Sequence, residues 1–75
     1  MSAPKAPRVD LAASIVRLVE ATDELISDRR LYVDDRREIG NVVANVLIVM
    51  GWRSRDDALQ EAGAALARRV RGPLG

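Results

Sequence analysis

Asp35-Arg36-Arg37-Glu38-Ile39-Gly40-Asn41-Val42-Val43-Ala44-Asn45-Val46-Leu47-Ile48-Val49-Met50-Gly51 is the stretch on which the fold turns. Ile39, Val42, Val43, Val46, Leu47 and Met50 recur at i, i+3, i+4 and i+7, the period of an amphipathic helix. Val49 extends that face, while Asn41, Asn45 and Ile48 fall on the other side. The last turn, Val46 to Met50, is apolar all round, and such a turn needs cover on every side. The pattern predicts a helix over 35–50, capped by Asp34 or Asp35 and closed by Gly51 at C′. Two further helices in so short a chain cannot cover that much apolar surface. A second copy is therefore expected to cover the remainder.

On the N-terminal side, Leu11, Ile15, Leu18, Thr22 and Leu25 recur at spacings of 4, 3, 4 and 3. Ala12, Val16, Val19 and Ile26 widen the stripe to about half the helix circumference. A helix over about 10–28 follows, with Asp10 as N-cap. Residues 1–8, rich in Pro and Ala, read as a disordered arm. On the C-terminal side, Trp52-Arg53 bridges to Ser54. Ser54 and Asp57 resemble a capping box for a third helix over about 55–70, whose face is Leu59, Ala62, Gly63, Leu66 and Val70. Gly63 costs helix stability, so a close backbone approach is expected there. Between the first two helices, Leu31 and Val33 alternate with Arg30 and Tyr32, which fits either a short strand at 30–33 or a plain loop.

The expected architecture is all-α: three helices in an intertwined homodimer, with residues 9–71 forming one helical domain. Leu18, Leu25, Val43, Val46, Leu47, Ile48 and Met50 are its expected dimer interface.

Composition narrows the function. The chain has 75 residues with no cysteine and no histidine. That excludes disulfides and thiolate zinc sites, and it removes the usual neutral-pH base. Glu20 with Glu24, and Asp56 with Asp57, are the acidic pairs worth checking as catalytic or metal sites. Neither has the facing carboxylates of a glycosidase or the converging oxygens of a hard-cation site. Ser14, Ser27 and Ser54 have no partner base. No enzyme, metal or cofactor is expected. No apolar run reaches the length of a membrane span and no signal segment is visible, so a cytoplasmic protein is expected.

Net charge is only +1, but its distribution is uneven. Residues 29–55 carry six arginines against Asp34, Asp35 and Glu38. Arg29-Arg30 and Arg36-Arg37 flank the first break, and Arg53 and Arg55 flank the second. The two sets stand about 24 Å apart if helix two separates them. A dimer could align them along the phosphates of a duplex. The competing reading is a solvated surface paired with nearby aspartates. Tyr32 and Trp52 lie in these breaks beside arginines, where they would either stack on bases or cover the core. Asn41 and Asn45 either face water or hydrogen-bond across a dimer seam and fix its register.

Tyr32-Val33-Asp34-Asp35, a helix, then Gly51-Trp52-Arg53-Ser54-Arg55-Asp56-Asp57-Ala58-Leu59 and Glu61-Ala62 resemble the ribbon-helix-helix proteins over about residues 30–70. That family includes phage repressors and the DNA-binding ends of type II antitoxins. The resemblance implies a dimeric duplex-DNA binder. Arg30 and Tyr32 would point outward from a strand, and the backbone around Arg53, Ser54 and Arg55 would grip phosphate. The pattern departs from the family in the long amphipathic segment ahead of the strand, and in Asp56 and Asp57 beside the phosphate position. The expected function is regulatory or architectural binding of double-stranded DNA by a homodimer, in a phage or mobile-element setting. The expected DNA contacts are Arg29, Arg30, Tyr32, Arg36, Arg37, Arg53, Ser54 and Arg55. The alternative is a helical interaction module, an inhibitor or adaptor, docking on a host protein through its apolar helix surface.

Overall fold

The computed structural model describes residues 11–74; the N-terminal arm and the Asp10 cap lie outside them. Among the described residues the chain forms three helices and no strand: α1 (Leu11–Ile26), α2 (Val33–Ser54) and α3 (Asp57–Arg71). The all-α architecture expected from sequence is present. Residues 29–31 are turn and bend, Tyr32 is extended, and Val33 already begins α2.

The first correction concerns the face that α2 buries. The residues it turns inward are Arg36, Gly40, Ala44, Leu47 and Gly51. They are mostly small, and each lies four or three residues from the next, so they form one narrow ridge. The glycines and the alanine let α3 come very close. A Cβ on Gly63 would stand 2.8 Å from the Ala44 carbonyl oxygen and 3.0 Å from the Ile48 backbone nitrogen. A Cβ on Gly51 would stand 2.7 Å from the Gln60 nitrogen, and one on Gly40 would collide with the Val70 side chain. The sequence pattern assigned the inner face to the bulky residues. The backbone contact that these glycines permit assigns it to the small ones. Val42, Val46 and Val49 consequently remain on the outside, each at least two-fifths exposed.

The second correction concerns the helix ends. Gly51 does not terminate α2, which continues through Trp52 and Arg53 to Ser54. The chain turns instead at Arg55, which adopts the left-handed conformation at φ 53°. The Asp56 N–H then donates to the Gly51 carbonyl at 2.8 Å, which satisfies an orphan acceptor of the last turn. Ser54 is not the N-cap of α3. Its hydroxyl donates back to the Met50 carbonyl at 2.7 Å. Asp56 holds the cap position, its carboxylate accepting from the N–H groups of Ala58 and Leu59. At the start of α2 the cap position is Tyr32, with no side-chain bond. Asp34 and Asp35 lie two and three residues further in, where their charge favours the positive end of the helix dipole.

α2 and α3 thus form a tight antiparallel hairpin. α1 lies across it, parallel to α3. Its buried residues, Thr22 and Ile26, are both in its last two turns. Ile26 joins Ala44, Leu66 and Val70 in the core, with Val43 and Ala67 packed around them. Arg69 of α3 fastens the same end of α1, with its Nε 2.6 Å from the Asp23 carboxylate and its Nη2 donating to the Ser27 hydroxyl.

Gly63→Ala tests the close crossing directly. The alanine should gain about 1 kcal/mol of helix propensity but lose more by overpacking against backbone atoms that cannot rotate away. The expected outcome is a melting temperature lower by roughly 5–10 °C in circular dichroism. Gly72→Ala, whose new Cβ would meet only a carbonyl at 3.7 Å, should leave it unchanged. A more stable Gly63→Ala protein would contradict the packing.

Candidate interaction surfaces

The arginines singled out from sequence divide into two groups. Arg36 and Arg37 turn inward. Arg36 is 7% exposed, and its Nη1 donates to the carbonyls of Ile26 at 3.2 Å and Leu74 at 3.0 Å. Its Nε is buried without a partner among the described residues. Arg37 donates from Nη1 to the Val70 carbonyl and, at 3.2 Å, to that of Gly72. Two neighbouring guanidinium groups on the first turn of α2 therefore bond carbonyls at the C-terminal ends of α1 and α3. Those ends carry unsatisfied acceptors and partial negative charge, so a cation with several donors suits them.

Arg30 folds back on its own turn. Its guanidinium meets the Asp28 carboxylate through both nitrogens, at 3.0 Å from Nε and 2.6 Å from Nη2, and its backbone N–H adds a third bond. These bonds, the side-chain one foremost, hold the Asp28 carboxyl down from 3.8 to about 2. The same hydrogen bond raises Arg30 above its ordinary value. Arg29, Arg53 and Arg55 are exposed and join no ion pair among the described residues. Arg29 sits at one end of α2, and Arg53 with Arg55 at the other. The two aromatics also stand in solvent, Tyr32 at 82% and Trp52 at 67% exposure, so neither covers the core.

The expected interface residues divide in the same way. Leu47 is wholly buried inside its own chain, and Val43, Ile48 and Met50 are half-buried. Leu18, Leu25 and Val46 remain exposed. To these the structure adds residues that the sequence reading placed inward or left aside: Leu11, Val16, Val42 and Val49. Leu11 and Val16, with Ile15, face Ala58, Leu59 and Ala62 of α3 across an open apolar cleft of about 430 Å³. A second, shallower depression of about 340 Å³ runs along α2 past Asn45, Val46, Val49 and Met50 to Arg53. The signal for the second was present in the spacing of Ile39, Val42, Val46 and Val49, which is also a seam pattern.

Among the described residues no acidic cluster converges as metal ligands, and no helix is long and apolar enough to cross a membrane. The chain matches no protein-family model, no curated protein and no solved structure.

Two measurements check this division of the arginines. Arg36→Ala should destabilise the fold by about 2–3 kcal/mol in urea unfolding, because buried carbonyls lose a charged donor, whereas Arg29→Ala should cost almost nothing. Equal effects of the two would contradict the inward placement. In an NMR titration, Arg30→Ala should raise the Asp28 carboxyl part of the way back from about 2, because the side-chain bonds go while the backbone N–H bond of residue 30 remains. The sign follows from the depressed value: the pair favours folding above the unfolded carboxyl range, and its contribution disappears as pH falls towards 2.

Proposed function

We propose that the protein is a non-enzymatic helical interaction module. It assembles as a homodimer and takes an apolar segment of a protein partner in the cleft between α1 and α3. One observation carries this reading: Leu11 and Val16 are 57% and 56% exposed along an apolar cleft that the described residues of their own chain do not fill. An amphipathic helix that short gains its stability mainly from covering its apolar face. Two turns anchored at Thr22 and Ile26 leave most of that face bare. Apolar surface of this continuity marks a binding site more often than an ordinary solvated surface. A partner helix with hydrophobic residues at i, i+3 and i+4 suits it.

A second reading, binding of double-stranded DNA in a regulatory or architectural role, draws support from the other end of α2. There the exposed Trp52 indole is followed by the exposed arginines Arg53 and Arg55. That combination suits phosphate contact with stacking or sugar packing. It keeps Arg29, Tyr32, Arg53 and Arg55 as contacts. Arg36, Arg37 and Ser54 are occupied by carbonyls, and Arg30 by Asp28.

One pair of assays separates the two. Anilinonaphthalene sulfonate should bind the protein saturably, and the Val16→Gln/Ala62→Gln protein should lose most of that fluorescence while keeping its helical spectrum. A duplex gel shift should show only weak retardation that vanishes between about 50 and 200 mM salt. Absence of dye binding, together with a tight shift abolished by Arg53→Ala/Arg55→Ala, would overturn the first reading in favour of the second.

A further inference from the structure

The outer face of α2 has a symmetry that its inner face lacks. Asp35, Ile39, Val42, Val46, Val49 and Arg53 lie within about 80° of the helix circumference, roughly opposite the ridge that packs on α3. Their spacings are 4, 3, 4, 3 and 4, a sequence that reads the same in both directions. Its midpoint falls at residue 44. The chemistry is antisymmetric about that midpoint: an aspartate closes one end and an arginine the other, with aliphatic residues between them. Val42, Val46 and Val49 are 51%, 47% and 41% exposed, and Asp35 and Arg53 are exposed as well. Arg36 and Arg37, the positive charges that would spoil the acidic end, are turned away into carbonyl contacts.

We infer that α2 pairs with α2 of a second copy, antiparallel, about a two-fold axis at the level of residue 44. This names the surface and register of the homodimer proposed above, and it is independent of the α1–α3 cleft. In this register Val42 packs on Val46 of the partner subunit, and Ile39 on Val49 of the partner subunit. Asp35 meets Arg53 of the partner subunit at each end of a seam about 27 Å long. The 4–3 alternation is the knob spacing of a two-helix seam, and antiparallel pairing puts unlike heptad positions into each layer, as these pairs require. A parallel pairing would set Asp35 against its own copy and Arg53 against its own copy, like charge on like at both ends. The contact is isologous, so it closes at two copies. Asn45, on the flank near the midpoint, faces its symmetry mate, where two side-chain amides can bond across the axis.

The chain has no cysteine, which makes cross-linking clean. Ile39→Cys and Val49→Cys proteins are prepared separately, checked for helical content, and oxidised alone and as a mixture. Sedimentation of the unmodified protein gives its oligomeric state. The expected result is a dimer in sedimentation and a disulfide-linked dimer in the mixture only. As a second measurement, Asp35→Arg and Arg53→Asp, both at exposed positions, should each weaken the dimer about tenfold, and the double variant should restore it. A dimer that cross-links through Val49→Cys or Ile39→Cys alone, or whose double variant is not restored, overturns the antiparallel register and leaves the homodimer standing. A monomer at micromolar concentration overturns both.

Discussion

The contact on which the molecule depends is the near touch of two backbones where α2 crosses α3. Gly40, Ala44 and Gly51 on one helix and Gly63 on the other remove the side chains that normally hold helices apart. Close packing adds many small dispersion contacts between the ridges. The cost is paid in geometry: the face that makes this contact has little hydrophobic bulk of its own. Leu47 supplies most of it, and Leu59, Leu66 and Val70 come from α3. Val42, Val46 and Val49 of α2 are displaced to the far side by the same choice. The core and the exposed apolar surface are therefore two results of one packing decision.

The arginines illustrate how position changes what a charge does. Arg36 and Arg37 are adjacent, so their side chains leave α2 about 100° apart. One reaches the end of α1 and the other the end of α3. A guanidinium suits this role because it has five donors in a fixed plane and remains charged under all ordinary conditions. In each arginine a single nitrogen, Nη1, donates to both carbonyls. The two residues make the start of α2 a clamp for the C-terminal ends of α1 and α3. Among the described residues, no guanidinium bonds helix-end carbonyls of two helices at the opposite end.

Much of the fold was legible in the sequence. Three amphipathic periods gave three helices, and the mid-helix Gly63 pointed correctly to a close approach. What misled the reading was the assumption that the bulkiest face is the buried one. That assumption weighs side chains by transfer free energy and ignores what a glycine ridge allows. The same bias made Gly51 a helix end instead of a contact, although Arg55 could take the left-handed turn in its place. The inward placement of Arg36 and Arg37 had no signal in local pattern, because their acceptors are the ends of other helices, distant in the chain. Arg30 differs. Its partner is two residues away, and the aspartate preceding the arginine pair was visible from the start.

The uneven anchoring of α1 has a kinetic consequence. Its last two turns share the core and the Arg69 tie, whereas its first turns rest beside an open cleft. The bundle therefore has two cooperative units of different strength. The α2–α3 hairpin should open only with the whole molecule, and its amides should exchange with solvent last. The front of α1 should lift away far more often, hinged near Thr22, renewing access to Leu59 each time. A partner seated there, as proposed, would be read as slowed amide exchange along Leu11 to Val19.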